Sequence, residues 1–233
     1  MVPVVIGVTL LALFTIQELR FNGEPAIDLR LFRDRSFSVS SGLLLLSGLA
    51  LYGALLLLTL YYQSLLGDTA LVAGLLLAPQ GIGSLLTRWT GKLTDRLGAR
   101  PIVIGGLAAA AVGTFPFTQA GLHANVWLLD ISLAVRGGGL GAATIGLMSA
   151  AYQEIRIDLV PHASSATRIL AQVGGAFGTA VLAVILAHQM FSRASAAAAF
   201  DAAFWWAFGF TLISLVLAIL LLPRFGSVAQ RAG

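Results

Sequence analysis

Apolar residues run along this chain in long blocks, roughly 2–19, 37–62, 69–90, 101–120, 125–150, 165–188 and 200–222, with polar residues gathered between them. A helix needs about 20 mostly apolar residues to cross the hydrocarbon core of a bilayer, and all but the first block reach that length. The first runs from Val2 to Ile16 and then meets Gln17, Glu18 and Arg20. It has no basic leader and no small-residue cleavage site, so it reads as a span with a clipped outer end rather than a signal peptide. Gly74, Pro79 and Pro116 do not argue against helix here, because neighbouring helices re-satisfy the backbone groups they free. Pro79 is expected to kink its helix. The pattern predicts an all-α integral membrane protein with seven transmembrane helices. The segments are a clipped helix over 1–19, a linker over 20–36, a bundle of six helices over 37–222 and a tail over 223–233.

The connectors are short, so adjacent helices must pack antiparallel, and none could house a soluble active site. The one substantial connector, "RFNGEPAIDLRLFRDRS" at 20–36, interleaves Ile27, Leu29, Leu31 and Phe32 with charges. It reads as an amphipathic stretch at the membrane surface or, equally, as a solvated linker. Six helices after the first span divide as three plus three, and an odd-numbered unit repeated in this way comes out inverted, a plan common among secondary transporters.

Composition sharpens the picture. Only 10% of the 233 residues are charged and mean hydropathy is +0.91, against about 25% charged in an ordinary soluble domain. The net charge of +4 is a matter of topology. With 20–36 placed in the cytoplasm, alternation puts Arg20, Arg30, Arg33, Arg35, Arg88, Lys92, Arg96, Arg100, Arg156, Arg168, Arg224 and Arg231 on that side. Arg193 alone falls opposite, and Arg136 lies within a span. This asymmetry follows the positive-inside rule and predicts a multi-pass cell-membrane protein with its N-terminus outside and its C-terminus cytoplasmic. It also removes nucleic acid as the reason for the basic charge. The absence of cysteine excludes a disulfide framework, a Cys-ligated zinc site and a thiol nucleophile.

The segment "GKLTDRLGAR" at 91–100 packs charge between two apolar blocks. Glycines at 91 and 98 would permit close helix approach and a tight turn. A solvated cytoplasmic turn explains the basic residues but not the full spacing G-x-L-x-D-R-x-G-x-R. That spacing resembles motif A of the major facilitator superfamily, with Gly91, Leu93, Asp95, Arg96, Gly98 and Arg100 all matching. "ELRFNGEPAIDLRLFRDRSF" (18–37), "GLLLAPQGIGSLL" (74–86), "VRGGGLGAATIGL" (135–147) and "SSATRILAQVGGAFGTAVLAVIL" (164–186) resemble, in order, the C-terminal half of fourteen-span drug:proton antiporters of the EmrB/QacA type. The resemblance implies an extra central helix followed by one six-helix transporter bundle, with motif A acting as a cytoplasmic gate. It further implies small amphipathic molecules and protons as partners, a proton gradient rather than a cofactor as energy source, and a missing N-terminal half or second copy as the complement. A non-transporting remnant, or a partner to a separately encoded half, is the alternative.

Arg136 is the intramembrane residue with the most to say. It lies eleven residues after Asn125, about 16 Å along a helix and so near the middle of a core roughly 30 Å thick. An arginine there costs about 2.5–3.5 kcal/mol to insert, so it must face a cavity or a partner. Two readings stand, proton coupling and a structural bond to carbonyls of a neighbouring helix. Asp130, six residues earlier and the second candidate for coupling, lies on a different helical face and nearer the outer surface, so the two do not simply neutralise one another. The glycines 137, 138, 139 and 141 contain a Gly-x-Gly-x-x-Ala pattern, but no strand and no soluble βαβ unit accompanies it. Gly137, Gly139, Gly141, Gly174, Gly175 and Gly178 are expected to serve helix packing. His123, His162 and His188 fall at loop or span ends. Intramembrane proteolysis would need paired carboxylates or a Ser–His pair in mid-span, and the sequence offers neither. No metal site is expected.

Overall fold

The computed structural model describes residues 29–122, 125–153, 155–192 and 195–222, with the side chains of Leu29, Arg30 and Asp95 excepted. The expected first span, the start of the linker, Arg193, His123 and the tail from 223 lie outside the described residues. Among those described there is no strand. The helices are α1 (Arg35–Leu60), continued by a π turn over Tyr61–Leu65; α2 (Ala70–Leu86); α3 (Thr90–Leu97); α4 (Ala99–Thr114); α5 (Val126–Tyr152); α6 (Val160–Ser192); and α7 (Ala196–Leu221). Six segments are long and apolar enough to span a membrane; they contain α1, α2, α4, α5, α6 and α7, and that of α2 runs on to Thr94 within the short α3.

Local chemistry sets the helix starts. Asp34 accepts a hydrogen bond from the Phe37 amide at 2.8 Å, Asn125 from that of Trp127 at 3.0 Å, and Ser195 from that of Ala198 at 3.3 Å. Each satisfies an amide that the first turn of a helix leaves without a partner. The last two helices start earlier than the apolar blocks suggest, at 160 and 196 rather than 165 and 200. Hydropathy marks where lipid begins, whereas the caps mark where the backbone begins to wind.

The linker's described end differs from a surface strip. Leu29–Arg33 forms a short 3-10 turn in which Leu31 is buried with Phe37, Ala151, Ala163 and Ala166. Phe32 meets the Phe37 ring edge-on at 5.2 Å. This stretch is packed onto the end of the bundle.

Hydrogen bonds between distant segments identify the two ends of the bundle. Ser36 donates to the Ala150 carbonyl at 2.9 Å, and Arg100 Nη2 to that of Ile219 at 2.6 Å. These bonds gather the starts of α1 and α4 with the ends of α5 and α7. At the opposite end Tyr61 donates to the Gly121 carbonyl at 2.8 Å, and the Gly121 amide donates to Asp201 Oδ1 at 3.2 Å. Among the described residues this second end carries Asp68, Asp130 and Asp201 but no lysine or arginine.

The packing has an internal symmetry. Helix α1 packs on α6 as α5 packs on α2, and α4 packs on α5 as α7 packs on α1, while α1 meets α5 and α4 meets α7 across the middle. Exchanging α1, α2 and α4 for α5, α6 and α7 therefore reproduces the main contacts. The contact of α6 with α7 has no comparable counterpart between α2 and α4. Because α1 and α5 run in opposite directions between the two ends, the three-helix units are inverted.

The symmetry extends to the backbone. A Cβ at Gly137 of α5 would strike the carbonyl of Gln80 in α2, as one at Gly48 of α1 would strike that of Ala171 in α6; one at Gly174 of α6 would strike that of Leu45 in α1, as one at Gly83 of α2 would strike that of Ala134 in α5. Gly178 likewise faces the Leu49 carbonyl, and Gly139 that of Gly106 in α4. Small residues allow this approach, and dispersion between closely packed backbones replaces a hydrophobic drive that lipid cannot supply.

Candidate functional site

Arg136 is the largest of the fully buried side chains, 2% exposed, near the middle of α5. Its Nη1 donates to Gln80 Oε1 at 2.6 Å and its Nη2 to the Ala50 carbonyl at 2.9 Å. One guanidinium thus ties α5 to α2 and α1 at mid-membrane, which is the bonding to a neighbouring helix set out above as one reading. Gly113 of α4 backs it, since a Cβ there would lie 2.8 Å from the Arg136 Cβ. Among the described residues no carboxylate bonds to it, and the ion pair they form is the exposed Arg156–Asp158 pair at 2.8 Å.

The clamp has a consequence for Gln80. Arginine only donates hydrogen bonds, so Gln80 must present its carbonyl oxygen inward. Its amide nitrogen is then left as a donor on the other side, where Gln80 lines an open cleft of about 470 Å³ with Tyr52, Ser84, Thr87 and Thr144. A second cleft of about 280 Å³ shares Tyr52 and adds Gln172, Gly175, Ala176 and Thr179. Together they make one polar-studded face across α1, α2, α5 and α6. Ser84, Thr87, Thr144 and Thr179 each donate to a carbonyl of their own helix, at 2.6–3.0 Å. Their oxygens keep accepting capacity toward the cleft. Gly141 abuts Thr87 and Ser84, and Gly175 abuts the Tyr52 ring, so both glycines help to shape this face. Sequence reading missed Gln80, Tyr52 and Gln172; a signal was available, since amides inside apolar blocks need partners or water.

The 91–100 segment is not a loop. Helix runs through Thr90–Leu97 and breaks only at Gly98, whose φ of 85° suits glycine. No breaker other than Gly91 intervenes, so the winding of α2 carries on through a short 3-10 turn at Thr87–Trp89. Gly91 needs no glycine for space among the described residues, since a Cβ there would meet nothing. Leu93 and Arg96 are exposed, Thr94 is buried, and Asp95 falls on the α3 backbone with its side chain outside the description. Arg100 reaches away from this segment to the end of α7, as described above.

Asp130 is half-buried, and its Oδ1 has no hydrogen-bond partner; the buried hydroxyl of Tyr62, its electrostatic neighbour, has none either. It forms no bond with Arg136. Pro79 sits inside α2 beside Gln80, leaving the Leu75 carbonyl without its usual helical donor. His162 lies in the first turn of α6 and His188 in its last turns, both distant in sequence from the clamp.

The sequence profile of the Major Facilitator Superfamily matches residues 2–179. The chain belongs to this family. It is 33% identical over 192 residues to the multidrug resistance protein B homolog of Mycobacterium tuberculosis (strain ATCC 25618 / H37Rv), covering 81% of this chain and 36% of the relative. It is 32% identical over 187 residues to YhcA, an uncharacterized MFS-type transporter of Bacillus subtilis (strain 168), covering 80% and 35%. It is 29% identical over 187 residues to the lincomycin resistance protein LmrB of Listeria monocytogenes, covering 80% and 40%. The chain therefore spans well under half the length of these relatives. Family and fold together make it a multi-pass membrane protein.

Proposed function

We propose that this chain is the C-terminal half of a proton-coupled multidrug efflux transporter, and that the polar face across α1, α2, α5 and α6 is its share of the substrate cavity. The observation that carries this reading is the clamp of Arg136 on Gln80, which fixes an amide donor on an open face at mid-membrane. Polar groups at that depth belong against water or a protein partner rather than lipid. A second six-helix bundle laid against the face would enclose a cavity suited to amphipathic molecules, with Tyr52 as a central aromatic wall. Arg136 then acts on the cavity through Gln80. A carboxylate entering from the other bundle meets the Gln80 amide first, and the buried cation behind it favours the charged form of that acid. The motif A segment serves as the gate at the basic end.

Transport tests the reading. Reconstituted alone in proteoliposomes under a proton gradient, the chain is expected to show no drug-dependent flux, because alternating access needs a second bundle to rock against. Supplied with an N-terminal half, it is expected to move a cationic amphipathic dye against its gradient at the expense of protons. Robust coupled flux by monomeric chain alone would sink the half-transporter reading.

The basic end is proposed to face the cytoplasm. Thiol labelling in intact cells checks this directly, since the chain has no native cysteine. Ser64→Cys, at the acidic end, should react with an impermeant reagent from outside, and Lys92→Cys only after the membrane is opened. The reverse pattern would invert the topology.

A further inference from the structure

Among the described residues that line the two clefts of the polar face, none carries a charge. The cation behind them, Arg136, is sealed off by Gln80, with its Nη1 on Gln80 Oε1 at 2.6 Å. Its sign still reaches the surface, because a charge in a low-dielectric interior is poorly screened. A second cation in the cleft is repelled. A hydrogen-bond acceptor is drawn to the Gln80 amide, whose N–H groups are the outward end of the same clamp.

The hydrogen-bonding ends of the face are sorted as well. Ser84, Thr87, Thr144 and Thr179 commit their hydroxyl protons to carbonyls of their own helices, so toward the cleft they can only accept. Gln80 is set the opposite way and donates there. Ser84 and Thr87 follow Gln80 by four and seven residues, on one face of α2, so the fixed donor and the first fixed acceptor lie about 6 Å apart along the axis. Tyr52 and Gln172 have no hydrogen-bond partner among the described residues and can turn to suit either end.

We propose that the face selects its ligand by hydrogen-bond pattern rather than by charge, and that it takes an uncharged amphipathic molecule. The ligand's carbonyl oxygen accepts from the Gln80 amide, and an O–H or N–H donor a few bonds away reaches Ser84 or Thr87. This inference rests on the reading of the face as half of a substrate cavity. A cationic substrate can still be carried, with its charge turned to the other bundle and its oxygen to Gln80. Arg136 is here a positioning residue, because it touches no ligand but determines which end of Gln80 the ligand meets.

Protection of a thiol in the cleft reads binding without transport and apart from partitioning into lipid. Ile145 lines the larger cleft and the chain has no cysteine, so Ile145→Cys supplies a single reporter whose alkylation by a maleimide is followed in nanodiscs. Three probes share a naphthalene body: the hydroxyethyl amide of naphthoic acid, the matching ammonium in which a methylene replaces the carbonyl, and the amide with its hydroxyl methylated. The amide should half-protect the thiol at about one tenth of the concentration that the ammonium needs, which is the size of one hydrogen bond kept or lost. Methylation of the hydroxyl should weaken protection by about three- to tenfold for the same reason. Gln80→Leu should bring amide and ammonium to equal protection. Arg136→Met leaves Gln80 in place but free to turn its oxygen outward, so it should narrow the gap too, an effect that a merely structural arginine would not produce. The comparison of amide with ammonium in the reporter chain needs neither variant to fold. Equal protection by the two, stronger protection by the ammonium, or no protection by any probe would each overturn the proposal. Coupled flux by a completed transporter without this preference would sink the inference alone, whereas the preference without coupled flux would sink the transport reading.

Discussion

Arg136→Met is expected to destabilise the bundle less than Arg136→Ala, which should cost about 2–5 kcal/mol. Alanine empties the space of the largest fully buried side chain, and nearby helices cannot close it because their backbones already touch. It also forfeits two charge-assisted hydrogen bonds, worth about 1.5–3 kcal/mol each. Methionine loses the same two bonds, but it fills much of the volume and removes a buried cation with no described counter-charge, so no cavity term is added. Thermal unfolding in detergent measures both. In a transporter completed by its N-terminal half, both variants should lose proton coupling more than drug binding, because Gln80 no longer has its orientation enforced. Arg136→Lys should recover only part, since an ammonium lacks the planar fork that reaches Gln80 and the Ala50 carbonyl together. Normal coupling in Arg136→Met would show that the residue serves packing alone.

Gly137→Ala and Gly174→Ala should each lower the melting temperature by roughly 2–12 °C, from an overpacking cost of about 1–3 kcal/mol. The new methyl group meets a backbone carbonyl in each case, and a backbone cannot swing aside as a flexible side chain can. Gly42 and Gly209 provide the contrast. Each lies in a helix with open space where a Cβ would stand, so alanine there should be neutral or stabilising by about 0.5–1 kcal/mol. Equal behaviour of all four variants in a thermal melt would contradict the close contact.

The fold was legible because its signal is long. Apolar blocks the length of a bilayer declare themselves by composition, and the spacing within 91–100 pointed to the family later matched over residues 2–179. The inverted repeat was only a matter of counting in the sequence. It shows in the structure as paired contacts, because the two units share packing geometry rather than residue identity. The reading of 91–100 as a cytoplasmic turn between two apolar blocks gave way to helix for a physical reason. Charge marks where a segment leaves the hydrocarbon, but a helix with no breaker continues into the headgroup region, and here it continues to Gly98. Arg136 was found from the cost of its placement, whereas Gln80 was not. An amide carries no charge to flag it, and its role comes from a partner fifty-six residues away.

The two mirrored seams, α1 against α6 and α2 against α5, divide the work of the molecule between backbone and side chains. Where glycine meets carbonyl, the helix axes are set by main-chain atoms alone. The residues displayed between the seams, Tyr52, Thr144 and Gln172 among them, can then be exchanged without moving the helices that carry them. Such a surface can drift toward new ligands by single substitutions while the scaffold beneath it tolerates almost none.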